Sequence, residues 1–223
     1  MQLYQVVMTT FCSIIYLWPP LFLESKMMQH HHVGTYLLDF TASTAAGQGW
    51  FEVSDTLRGV GRSFATLQVQ TRRDSSLRRA ILFTLLNPQP DGACFASMRK
   101  SVTWNLSAVT TLVLTLRAQG ECSRYSLVLK DATRVDGGTS FHAFFNVRKT
   151  IGDSDDEGFE VAEVSLADFK PYIHGKELED PTPLDLSQIR EFGIQAAGGV
   201  YDTPPEERQK GVSSLEITNV FAI

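Results

Sequence analysis

A chain of 223 residues with 43% hydrophobic content can bury one sizeable core, and all-β sandwiches of this length are commonly single domains. Its formal net charge of -5 excludes a nucleic-acid backbone as the main partner, because binding through counterion release needs a basic face. The three cysteines, Cys12, Cys94 and Cys122, match no metal-ligand spacing and read as small buried side chains. Cys94 and Cys122 also form an even pair that an oxidising compartment could bridge, and the sequence leaves that choice open.

In chain order, residues 1–23 carry no charged side chain, and the apolar run is broken by Pro19 and Pro20. A secretory signal, a membrane anchor and an ill-defined extension compete for this segment. It lacks a basic n-region, and the run before the prolines falls short of the roughly 20 residues that span a bilayer. A polar linker with His30, His31 and His32 follows, so that residues 1–34 read as an appendage and 35–223 as a single domain. Residues 35–40 read as a first strand and 41–49 as a loop.

From Trp50 onward, short apolar runs alternate with turn residues at intervals too short for crossover helices. Strands are predicted over 63–69, 80–86, 94–98, 109–117, 125–130, 140–147, 159–165, 192–196 and 213–222. The centre of the pattern is the stretch 104–131, two strands joined by a tight polar turn. There Leu112, Leu114 and Leu116 share one face, as do Tyr125, Leu127 and Leu129, with Val113 and Val128 on the opposite faces. In the last strand the apolar parity changes between Ile217 and Val220, which predicts a bulge near Asn219. Only 165–169 and 185–190 can form helical turns, about one turn each. The acidic run within 152–158 reads as a solvated loop tip.

The motifs of reactive sites are missing from the sequence. It contains no G-x-S-x-G elbow and no phosphate-binding glycine loop opening a helix. His142 and His174 have no companions at ligand spacing, and His142, flanked by Phe141 and Phe144, reads as a wall residue. Asp55, Asp131 and Glu163 could be paired as glycosidase carboxylates, but any chain with 25 acids offers such pairs. Asp55, Arg58 and Arg99 stand at turns and strand ends, where charges brace loops or meet partners.

Several local sequences stand together in order: WFEVSD at 50–55, TLRGVGRS at 56–63, GACFASMR at 92–99, YSLVLKD at 125–131, VSLADFKP at 164–171, LDLSQIREFGI at 184–194 and LEI at 215–217. The set resembles the thirty-kilodalton complex I intermediate-associated protein family, particularly its shorter fungal-like members. Two positions depart from that pattern: Val60 separates glycines that are usually adjacent, and Cys94 stands where a glycine is usual. The resemblance implies an all-β, galactose-binding-like jelly-roll sandwich with one or two short helical turns. It also implies a non-catalytic, cofactor-free, chaperone-like factor that binds assembly intermediates of mitochondrial complex I, with Asp55, Arg58 and Arg99 in its most recognisable turns. The alternative is a secreted or lumenal carbohydrate-binding module, for which Trp50, Tyr172 and Tyr201 would supply an aromatic platform. Under that alternative the compartment is the secretory pathway, or a membrane reached through residues 1–23.

Overall fold

A computed structural model of the chain describes residues 34–71, 78–89, 93–135, 137–149, 158–179, 183–199 and 203–223. The apolar segment 1–23, the histidine tract, the turn residues 90–92, the acidic run over 152–157 and Tyr201 lie outside these residues.

Thirteen strands occur among the described residues: β1 (Thr35–Asp39), β2 (Trp50–Ser54), β3 (Phe64–Thr71), β4 (Arg78–Leu86), β5 (Cys94–Trp104), β6 (Thr111–Gly120), β7 (Arg124–Asp131), β8 (Thr139–Asn146), β9 (Glu160–Ser165), β10 (Lys170–Ile173), β11 (Lys176–Glu177), β12 (Ile189–Gly199) and β13 (Gly211–Ala222). They form two antiparallel sheets. One has the order β3-β4-β13-β6-β9 with β1 added alongside β13, and the other the order β11-β10-β8-β7-β12-β5-β2.

The stretch 104–131 is central, but its two strands do not pair with each other. β6 lies between β13 and β9 in the six-stranded sheet, and β7 between β12 and β8 in the seven-stranded sheet. The polar turn therefore carries the chain from one layer to the other. Leu112, Leu114 and Leu116 of the first layer and Tyr125, Leu127 and Leu129 of the second are all fully buried in one hydrophobic cluster. Burying such side chains contributes about 1.5–3 kcal/mol each, so the pleat that sequence periodicity reveals is also the main source of cohesion between the layers.

The predicted bulge is present. Ile217 faces Leu116 and Asn219 faces Thr115, so Thr218 is the extra residue. The bulge also marks a change of neighbour, since β4 pairs with Gly211 to Ile217 and β1 with Asn219 to Ala222. Leu215, Ile217, Val220 and Ala222 all reach the core as a result. Both predicted helical turns are 3₁₀ turns, Leu166–Asp168 and Leu186–Gln188, capped by the Ser165 and Asp185 side chains.

The short strands β10 and β11 were not expected. Pro171 interrupts the donor pattern of β10, yet β10 pairs with β8 on one side and β11 on the other. Between β10 and β11, His174 (φ 49°) and Gly175 (φ 83°) form a two-residue turn with the paired positive φ angles that suit a tight hairpin.

Candidate functional site

Each strand of the seven-stranded sheet turns alternate residues away from the core. Phe95, Ser97 and Arg99 of β5, Gln195 and Ala197 of β12, Arg124, Ser126 and Val128 of β7, Ser140, His142 and Phe144 of β8, and Tyr172 of β10 share this outer face by register. One row across the sheet reads Arg99, Gly193, Val128, His142, and the next reads Ser97, Gln195, Ser126, Phe144. Several polar members of the face are buried although, among the described residues, no layer covers them: Arg99 is 3% exposed, and Gln195 and His142 are each 8% exposed. They form the floor of a cleft of about 210 Å³, with Arg58, Phe95, Arg124, Phe144, Tyr172 and His174 among its walls.

Local packing explains the placement of each group. Gly193 lies opposite Arg99, and a Cβ there would come within 2.8 Å of Arg99 Cγ, so the glycine lets the aliphatic stem lie across β12. Arg99 Nη1 donates to Glu191 Oε1 at 2.8 Å, while its buried Nε has no partner. Burial, the largest influence, lowers the Arg99 pKa. His142 lies between two hydroxyls, with Ser140 Oγ 2.8 Å from Nε2 and Ser126 Oγ 3.4 Å from Nδ1. Burial, then the charges of Arg99 and Arg58, push its pKa down to about 3, so the imidazole is neutral at physiological pH. Its ring meets Tyr172 edge-on at 5.1 Å, and Tyr172 meets Phe144 at 5.8 Å. The Tyr172 hydroxyl donates to Glu177 at 3.1 Å, and burial followed by the Glu177 charge raises its pKa to about 12.

Of the three singled-out residues, two meet at the cleft and one stands behind it. Asp55 is fully buried at the end of β2, where Oδ1 accepts from Ser63 N at 2.7 Å and Oδ2 from Phe95 N at 3.2 Å. Its own amide donates to Phe95 O, so the carboxylate and backbone together clamp the β2–β3 loop to the start of β5. Arg58, on that loop, is exposed and extends over the Phe95 ring at 5.2 Å from the centroid. Arg99 lies on the cleft floor. Arg58 and Arg99 thus line one cleft, and Asp55 stands behind it, fixing the loop that presents Arg58. Of the other carboxylates considered, Asp131 caps the turn after β7 and the amide of Asp185, and Glu163 belongs to the opposite sheet.

The two departures from the family pattern are accommodated. Gly59 takes the positive φ (71°), Val60 keeps an ordinary backbone conformation, and Gly61 is needed for space, since a Cβ there would lie 2.1 Å from Asp55 Cγ. Cys94 occupies space vacated by Gly198, whose Cβ would lie 2.3 Å from Cys94 Sγ. Cys94 and Cys122 are both buried free thiols, and burial, the main cause, pushes Cys94 up to about 11.

Of the expected aromatic platform, Trp50 packs instead between Phe40 and Phe192 and donates Nε1–H to Ala46 O at 2.8 Å, whereas Tyr172 lines the cleft beside Phe144. Among the described residues, no group of three or more His, Cys, Asp or Glu gathers as a metal site, and no helix is long and apolar enough to cross a membrane. Sequence reasoning passed over Gln195, Ser140 and Phe144. The available signal was polar or aromatic residues at the non-core parity of strands whose other parity is leucine-rich.

Residues 38–217 match the family described as complex I intermediate-associated protein 30. An uncharacterized protein of Schizosaccharomyces pombe is 26% identical over 159 residues, covering 66% of this chain and 70% of that one. Among solved structures, the family 11 carbohydrate-binding module of the cellulase Lic26A-Cel5E of Clostridium thermocellum superposes with a TM-score of 0.57 at 11% identity, covering 85% of this chain and 94% of the module. A Clostridium thermocellum family 11 module in complex with a β-1,3-1,4-mixed-linked tetrasaccharide gives 0.56 at 13% identity, covering 86% and 96%. At these identities the likeness speaks for the fold: a galactose-binding-like jelly-roll sandwich.

Proposed function

The chain belongs to the complex I intermediate-associated protein 30 family, and on that premise we propose that it is a non-catalytic, chaperone-like binding protein acting in the assembly of mitochondrial respiratory complex I, with the cleft on the seven-stranded sheet as its binding surface. The observation that carries this reading is the family match over residues 38–217, which includes every strand lining the cleft. The chemistry of the cleft supports binding rather than turnover. Three of its titratable groups are held away from the neutral range in which proton transfer is served best: His142 is pushed to about 3, Cys94 to about 11 and Tyr172 to about 12. The test is native electrophoresis of mitochondria carrying a C-terminally tagged chain. Co-migration with a partly built complex I supports the reading, and a chain that always runs alone refutes it.

A second reading is favoured by one observation: a cleft with aromatic and hydrogen-bonding walls on the exposed face of a carbohydrate-module fold. In that reading the cleft takes a carbohydrate. Glycan-array binding that disappears in Tyr172→Ala would support it, and an array without a hit would refute it.

A further inference from the structure

The cleft offers many more hydrogen-bond donors than acceptors. Arg58, Arg99 and Arg124 all line it, and among the described residues no carboxylate does. A guanidinium only donates and carries a full charge, so a ligand decorated solely with hydroxyls could accept its hydrogen bonds but would leave that charge unmatched. Phosphate and carboxylate oxygens only accept when ionised, and the arginine fork matches their geometry.

The three guanidiniums are also held in place. Arg58 lies over Phe95 at 5.2 Å and Arg124 over Phe144 at 4.7 Å, so each aromatic ring orients a cation. Glu191 holds one end of Arg99 and leaves its buried Nε without a partner. Arg124 meets Glu207 at 3.5 Å, but both side chains of that pair are more than a third exposed, so it is a weak neutraliser. The positive charge is felt at the cleft floor: after burial, it is the charges of Arg99 and Arg58 that lower the pKa of His142. A volume of about 210 Å³ is smaller than the pockets that take drug-sized ligands, and suits a single ring with one substituent.

We propose that the cleft binds a monosaccharide-sized ligand bearing an oxyanion, phosphate or carboxylate, with the anion held by Arg58, Arg99 and Arg124 and the ring set against Tyr172. The inference rests on the carbohydrate reading of the cleft and narrows it to an acidic or phosphorylated sugar.

Isothermal titration calorimetry of the full chain with glucose 6-phosphate, glucuronate, glucose and inorganic phosphate tests it. At least one of the two sugar anions should bind about tenfold or more tightly than glucose and than inorganic phosphate, and the better of the two identifies the oxyanion. Arg58→Gln, at an exposed side chain, should weaken that binding at least fivefold with an unchanged melting temperature. Arg99→Gln should do the same, and the Arg58 variant decides the matter if the Arg99 variant fails to fold. Glucose binding as tightly as the sugar anions, inorganic phosphate alone binding as tightly as glucose 6-phosphate, no binding by either sugar anion, or an unaffected Arg58→Gln would each overturn the proposal. A mixed-linked glucan oligosaccharide that binds where both sugar anions fail would overturn it while leaving the neutral-carbohydrate reading standing.

Discussion

Replacing Asp55 by alanine should destabilise the domain more than its position in a loop suggests. The carboxylate is fully buried and accepts two backbone amides, Ser63 N at 2.7 Å and Phe95 N at 3.2 Å. Thr56 Oγ1 also approaches it, but that hydroxyl bonds Ser63 O as well and is not orphaned by the change. Each buried amide left without an acceptor costs about 1–3 kcal/mol, so Asp55→Ala should lose about 2–6 kcal/mol. Asp55→Asn keeps one acceptor oxygen but turns an amide donor towards the second N–H, and should lose about half as much. Gly61→Ala attacks the same clamp from outside, since its Cβ would overlap the carboxylate. Urea denaturation of the three variants measures the losses. If Asp55→Ala costs less than about 1 kcal/mol, the carboxylate is not the clamp of this loop and the reasoning fails.

Glu216→Ala should cost about 3–5 kcal/mol by the same assay, because Glu216 is buried between Arg79 and Arg117, with Oε1 2.8 Å from Arg117 Nη2, and its loss removes the buried carboxylate that both guanidiniums meet. His142 should make stability fall as pH is lowered from 6.5, since the unfolded chain takes up a proton there while the folded chain does so only near 3. Because Asp39, Asp131 and Glu177 are held below their ordinary 3.8 to 4.5, their own contributions are lost only as pH approaches those ordinary values, and the upper part of the range, from pH 6.5 to about 5.5, isolates the histidine. The slope contributed approaches about 1.4 kcal/mol per pH unit, and His142→Gln should remove it in denaturation titrations. Cys94 and Cys122 should resist alkylation at pH 8 in the native state and react fully in urea; rapid native labelling at either position would contradict their burial.

Which residues face the core was legible in the sequence, and which strands lie side by side was not. The leucines at 112, 114 and 116 and the residues at 125, 127 and 129 announce two buried faces, but a period of two says nothing about whether those faces belong to one sheet or to opposed sheets. The bulge at Thr218 was readable because an inserted residue reverses the parity of everything after it. The short strand β10 was not, because Pro171 removes a donor from a four-residue run that pairing on both sides nonetheless sustains. The cleft stayed hidden for a related reason. Arg99, Gly193, Val128 and His142 form one row only once three registers are known, and in the linear sequence Arg99 and His142 are simply a charge after an apolar run and a lone histidine.

The central claim is that the cleft of the seven-stranded sheet is the surface through which this protein serves complex I assembly. Native electrophoresis of mitochondria carrying either the tagged chain or its Arg58→Ala, Tyr172→Ala variant, with both proteins first shown to melt alike, tests it most directly. The account predicts that the unaltered chain travels with a partly built complex I and that the variant travels alone. A variant that still co-migrates as fully as the unaltered chain would contradict it.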